Sequence, residues 1–91
     1  MYKVTGELSQ KNAHIAVADG ISAILQGQSD FDFSELQRID SATVAVMIEW
    51  QRRAADKRQP LQFHAVPATL LSLIQLYGLT EQFSIVPSER H

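Results

Sequence analysis

The spacing of apolar positions changes several times along the chain. Tyr2 to Leu8 mixes β-branched, aromatic and polar residues and predicts a strand. Lys11 to Gln26 places Val17, Ile21, Ile24 and Leu25 at helical spacing, although Gly20 interrupts that helix and costs about 1 kcal/mol relative to alanine. After the turn Gly27-Gln28-Ser29-Asp30, Phe31 and Phe33 alternate with Asp32 and Ser34, which suits a second strand over Phe31 to Leu36. Asp40 to Arg58 carries the strongest helical pattern. Leu61 to Val66 alternates again and predicts a strand, and Ala68 to Tyr77 predicts a helix that Gly78 stops, with Leu79 folding back over its last turn. Thr80 to Phe83 reads as one more turn and Ser84 to Val86 as a short last strand. Strands alternating with helices over short loops imply crossover connections. The expected fold is α/β, with a mostly parallel sheet of about four strands.

Faces of the helices sharpen this picture. Stepping the Asp40 helix by about 100° per residue puts Val44, Met47, Ile48, Gln51, Ala54 and Ala55 on one side, the expected core face. Ala42, Val46 and Trp50 fall on the other side, near Thr43. Val46 and Trp50 are four residues apart and so touch. A Trp on an outward face is a candidate partner contact, because Trp is enriched at interface hot spots; the competing reading lays it under a neighbouring loop of the same chain. In the last helix Leu70, Leu73, Ile74 and Tyr77 share a core stripe, while Leu71 and Leu76 lie off it.

Composition narrows the function. The chain has 91 residues, enough for one domain with one shallow site, which favours a binding or regulatory module over an enzyme. Ten acidic against eight basic residues exclude a general phosphate-backbone binder, so no nucleic-acid partner is expected. A 45% hydrophobic content with a net charge of only −2 excludes disorder. The absence of cysteine excludes disulfides, thiolate metal sites and a cysteine nucleophile. His14, His64 and His91 show no metal-ligand spacing, and no nucleophile elbow or phosphate-cradling glycine loop is present, so neither a metal, a cofactor nor a catalytic residue is expected. No secretory leader is expected before Tyr2, and no apolar run approaches the roughly 18 residues of a membrane span. The expectation is a cytoplasmic domain.

The segment with the most chemical potential is Asp40-Ser41. Asp40 is a natural N-cap whose carboxylate accepts a backbone N–H of the first turn. Ser41 then sits at the first helical position, by the positive end of the helix dipole, where an anion is welcome. Both residues also serve if they do nothing but start a helix.

Taken in order, these pieces resemble the STAS domain family, shared by sulfate transporters and anti-sigma factor antagonists. The resemblance rests on Thr5-Gly6-Glu7-Leu8, Phe31-Asp32-Phe33-Ser34 and Ile39-Asp40-Ser41. The stretch Leu73-Ile74-Gln75-Leu76-Tyr77-Gly78-Leu79 is similar to the small stand-alone MlaB-type subunit of Mla phospholipid ABC transporters. It implies one domain over residues 1–91, of the SpoIIAA-like kind, with helices packed mainly on one side of the sheet and no catalysis. In the transporter branch the hydroxyl residue and its helix press on the ATPase subunit of a complex that includes a permease, held at the inner membrane through that partner. This maps to Asp40, Ser41, Ala42, Thr43, Val46 and Trp50. In the antagonist branch the partner is an anti-sigma kinase, and Ser41 is the phosphate acceptor. Two departures weigh against the switch: Ser9 stands where the family often has an Asp, and Ala42-Thr43 stand where glycines are common.

Overall fold

The computed structural model describes residues 1–87, so His91 and the three residues before it lie outside the description. The order is β1 (Tyr2–Lys3), β2 (Gly6–Leu8), α1 (Ala13–Leu25), β3 (Asp30–Asp32), β4 (Leu36–Ile39), α2 (Ser41–Asp56), β5 (Gln62–His64) and α3 (Ala68–Leu76). Every strand pairing among the described residues is parallel: β1 with β3, β3 with β5, and β2 with β4. Ile85 adds an isolated parallel bridge to Phe63, where the sequence predicted a short strand. Two of the predicted strands are broken in the middle. The first breaks at Val4-Thr5, where Gly6 takes φ 71°, and the second at Phe33 to Glu35. Backbone bonds from Val4 N–H to Asp32 O (2.9 Å) and from Gly6 N–H to Glu35 O (3.2 Å) carry the pairing across both breaks.

Alternation along the strands separates two faces. Phe31 and Phe63 are paired in register and fully buried, and Phe33 joins them. Lys3, Asp32 and His64 form the next row, pointing the opposite way, and remain at least partly exposed. There Asp30 bonds His64 Nε2 at 2.8 Å and Lys3 pairs with Glu35 at 3.1 Å. The Ser34 backbone N–H, donating to Asp32, holds that carboxyl below its usual range, and the Glu35 carboxylate pushes Lys3 up. The helices therefore pack on the phenylalanine face, and the polar face is left to solvent.

Trp50 organises the packed face. It is 1% exposed, at 5.0 Å from Phe31 and 6.5 Å from Phe33 between ring centroids, both edge-on. Such pairs add about 0.5–1.5 kcal/mol beyond area burial. Its indole N–H is shared between the carbonyls of Ala16 (3.2 Å) and Val17 (3.3 Å) in α1. Directly beneath the indole lies Gly20: a Cβ there would stand 2.1 Å from Nε1 and 2.3 Å from Cε2. The glycine that weakens α1 locally is the notch that receives Trp50. This corrects the sequence reading of Val46, Trp50 and Thr43 as outward, since they are 2%, 1% and 0% exposed. The buried arc of α2 is centred about 60° from the predicted one, between Trp50 and Met47. The cause is that α2 packs on α1 as well as on the sheet, so its buried arc is wide and Ala55 falls outside it. Tyr77, predicted in the α3 stripe, is likewise 49% exposed, while Leu70 and Ile74 are buried as expected.

All three helices end the same way. The residue in the left-handed conformation is Gly27, Arg58 or Gly78, and the next N–H reaches back to Ala23, Ala54 or Ile74 at 2.9–3.0 Å. This is the Schellman closure. Leu79 packs on the core after it, as the sequence predicted.

Two stability predictions follow from this packing. Gly20→Ala is expected to destabilise the chain by about 1–3 kcal/mol through overpacking. In a Trp50→Ala background, itself costing about 3–5 kcal/mol, the same change becomes favourable by up to about 1 kcal/mol. A double-mutant cycle by urea denaturation reads this reversal, and additive effects would refute the notch. Arg58→Gly is expected to raise stability by about 0.5–1 kcal/mol, because glycine adopts the left-handed conformation without Cβ strain. An unchanged or lower urea midpoint would contradict that.

Candidate partner-binding corner

β4 delivers the chain to Asp40, whose extended backbone turns directly into α2. The Asp40 carboxylate accepts the Ala42 N–H at 2.8 Å through Oδ1, the N-cap bond read from the sequence. The Asp40 N–H in turn donates to Thr43 Oγ1 at 3.1 Å, which completes a reciprocal capping box with Thr in place of the usual Glu or Gln. The other carboxylate oxygen, Oδ2, accepts the Gln10 N–H at 3.1 Å and so ties the β2–α1 loop to the start of α2. Thr43 is sealed in because its hydroxyl donates to the Leu8 carbonyl. One acidic and one hydroxyl side chain thus lock two loops together.

The loop itself is internally bonded. The Ser9 N–H donates to Asn12 Oδ1 (2.9 Å), the Asn12 side-chain amide donates to the Glu7 carbonyl (2.6 Å), and Lys11 N–H donates to Ser9 Oγ (3.2 Å). Ser9 Oγ donates to the Glu7 carboxylate. Ser9 is only 4% exposed, so the residue that departs from the family acid acts as a loop brace.

Of the six residues assigned to a partner surface, Asp40 and Ser41 are exposed and Ala42 is partly exposed. Thr43, Val46 and Trp50 belong to the interior. A residue that sequence reasoning missed is exposed one turn beyond Ser41: Ala45. Its small side chain gave no signal. With Ala42 it forms the α2 wall of an open apolar groove, of about 470 Å³, whose other wall is α1. A second, more polar hollow is lined by Asp40 with Lys11 and Arg38. No cluster of three or more His, Asp or Glu that could hold a metal occurs among the described residues, and no helix of the described residues is long and apolar enough to cross a membrane. The corner contains a fixed helix start, an exposed hydroxyl and apolar surface.

Asp40→Ala is expected to cost about 1–2 kcal/mol through loss of the cap. It should also release the 9–12 loop, read as faster amide exchange at Gln10 and Ala42 with the sheet unchanged. Unchanged exchange at Gln10 would contradict the tether.

Comparison with known proteins agrees with this architecture. The chain resembles the anti-sigma factor antagonist SpoIIAA in its unphosphorylated form with a TM-score of 0.66 and 18% identity, over 94% of this chain and 76% of that one. It resembles a Thermotoga maritima protein described as a candidate anti-sigma factor antagonist with a TM-score of 0.78 and 16% identity, over 93% and 75% of the two chains. At such identities the likeness establishes the fold alone. A search of curated proteins gave no match. A family model described as "Mlab, STAS domain" matches residues 2–87, and the chain therefore belongs to the MlaB-type STAS domain family.

Proposed function

We propose that this chain is a non-catalytic STAS subunit that binds and supports the ATPase of an Mla-type ABC transporter, in a complex with a permease that moves phospholipid between membranes. The match to the MlaB-type family over residues 2–87 carries this reading. The docking surface is the start of α2, with Asp40, Ser41 and Ala42 on it. Its fixed loops suit a preformed interface, because little side-chain and loop entropy remains to be lost on binding. Thr43, Val46 and Trp50 act from beneath as its support. The chain sits on the cytoplasmic side of the inner membrane through its partner and does not insert.

A second reading, an anti-sigma factor antagonist switched at Ser41, is favoured by the exposure of Ser41 and the antagonist folds of the structural neighbours. Phosphate at Ser41 would add about −1.5 to −2 charges beside Asp40 and oppose docking by repulsion.

Ser41→Arg and Ser41→Tyr, co-expressed with the ATPase and permease, are expected to lower co-purification by roughly tenfold or more, about 1.4 kcal/mol. Arg53→Ala, at an exposed position further along α2, should leave it unchanged. Wild-type recovery of both Ser41 variants would remove the corner from the interface. Trp50→Glu is not informative, since a buried charge would unfold the chain. Ser41→Ala separates the two readings: transporter docking survives it, whereas a kinase-dependent mass increase on the intact chain is abolished by it.

A further inference from the structure

α1 and α2 each cross between parallel strands, so they run in the same direction with their N-termini at one end. The Gln10–Asp40 bond joins those ends. The apolar groove lies between the two helices, floored by Val17 and Val46 and walled by Ala18, Ile21, Ala42 and Ala45. From Ala13 to Ile21 it spans about 12 Å at 1.5 Å per residue, the length of two helical turns. The α1 wall continues at helical spacing to Leu25, which is 62% exposed. The sole charged residue of α1, Asp19, does not line the groove.

The two titratable side chains on the groove stand apart: His14 in the first turn of α1, and Glu49 further along α2. Neither helix has an acidic residue in its first turn, but the Asp40 cap offsets the dipole of α2, so the positive charge at the His14 end comes from the N-terminus of α1 together with Lys11. The nearby Asp40 carboxylate is already engaged by the Ala42 and Gln10 N–H groups. Glu49 makes the opposite end negative; its bond to Arg52, whose side chain is 71% exposed, is a surface pair that a better partner readily displaces. The groove is therefore apolar along its length, positive at one end and negative at the other.

We propose that this groove receives an amphipathic helix of the partner ATPase, lying antiparallel to α1 and α2, with its C-terminal end over His14 and a basic side chain against Glu49. The inference rests on the transporter reading and specifies how that partner engages. A second copy of this chain fits less well. Two copies related by a two-fold axis would meet hollow to hollow, and the groove face of α1 offers Glu49 no basic residue but His14. Seating the exposed Leu76 and Tyr77 at the end of α3 in the groove would give a head-to-tail contact, which builds a ring or an open chain rather than a two-fold dimer.

Ala18 and Ala45 are exposed, so arginine at either position should leave folding intact and fill the groove. Ala18→Arg and Ala45→Arg are expected to reduce ATPase co-purification by roughly tenfold, and Glu49→Lys by a smaller factor that shrinks as salt is raised. Photo-crosslinkers placed at residues 14 and 49 should reach one partner helix, with the more C-terminal site attached to residue 14. Undiminished co-purification of both alanine variants, or crosslinks in the reverse order, overturns the groove while leaving the transporter reading in place. Failure of the wild-type chain to co-purify overturns that reading and the groove with it. A sedimenting homodimer abolished by Ala45→Arg assigns the groove to a second copy and also overturns the proposal.

Discussion

The indole of Trp50 resting in the notch at Gly20 sets the relation between the two helices that matter most. The ring leaves no space for a Cβ on α1 and bonds two of its carbonyls, while its edges meet Phe31 and Phe33 on the sheet. Three layers of contact converge on one side chain. α1 accepts a local penalty of about 1 kcal/mol for its central glycine, offset by burial of the largest side chain in the protein. The spacing between α1 and α2, and hence the width of the groove above them, is fixed at this point.

From that spacing the rest of the corner follows. With α2 held against α1, Thr43 reaches the Leu8 carbonyl and Asp40 reaches Gln10, so the loop before α1 and the loop before α2 form one rigid unit. Ser41 is presented to solvent on a helix start whose Ala42 N–H is already capped by Asp40. Such a surface needs little ordering when another molecule meets it, which suits the proposed docking role. The corner combines a fixed helix start, an exposed hydroxyl and apolar surface, and the proposed docking reading rests on these features.

Much of this was legible in the sequence because it is local. Asp40 announces its cap by residue type and position, Gly78 its helix end, and the alternation of Phe31 and Phe33 with Asp32 and Ser34 the two faces of a strand. Helical periodicity also located α2, but not its rotation. Val46 and Trp50 were placed outward because the pattern within one helix records how many faces are apolar, not how many neighbours bury them. The deciding residue, Gly20, lies thirty positions away and reads in isolation as a defect. Ala45 and the groove were invisible for the same reason: small exposed residues carry no signal until the fold sets a second helix beside them. The broken strands at Val4-Thr5 and Phe33 to Glu35 depend on pairing across the sheet, which spacing within one strand does not encode.

The central claim is that function resides on the exposed start of α2 and its groove with α1, carried by a buried aromatic support. Amide hydrogen exchange on the intact chain, alone and in complex with its co-expressed ATPase, tests this most directly. The account predicts added protection over residues 10–21 and 41–49, with the polar sheet face of Lys3, Asp32 and His64 unchanged. Protection confined to that sheet face or to α3, with the α2 start exchanging as in the free chain, would contradict it.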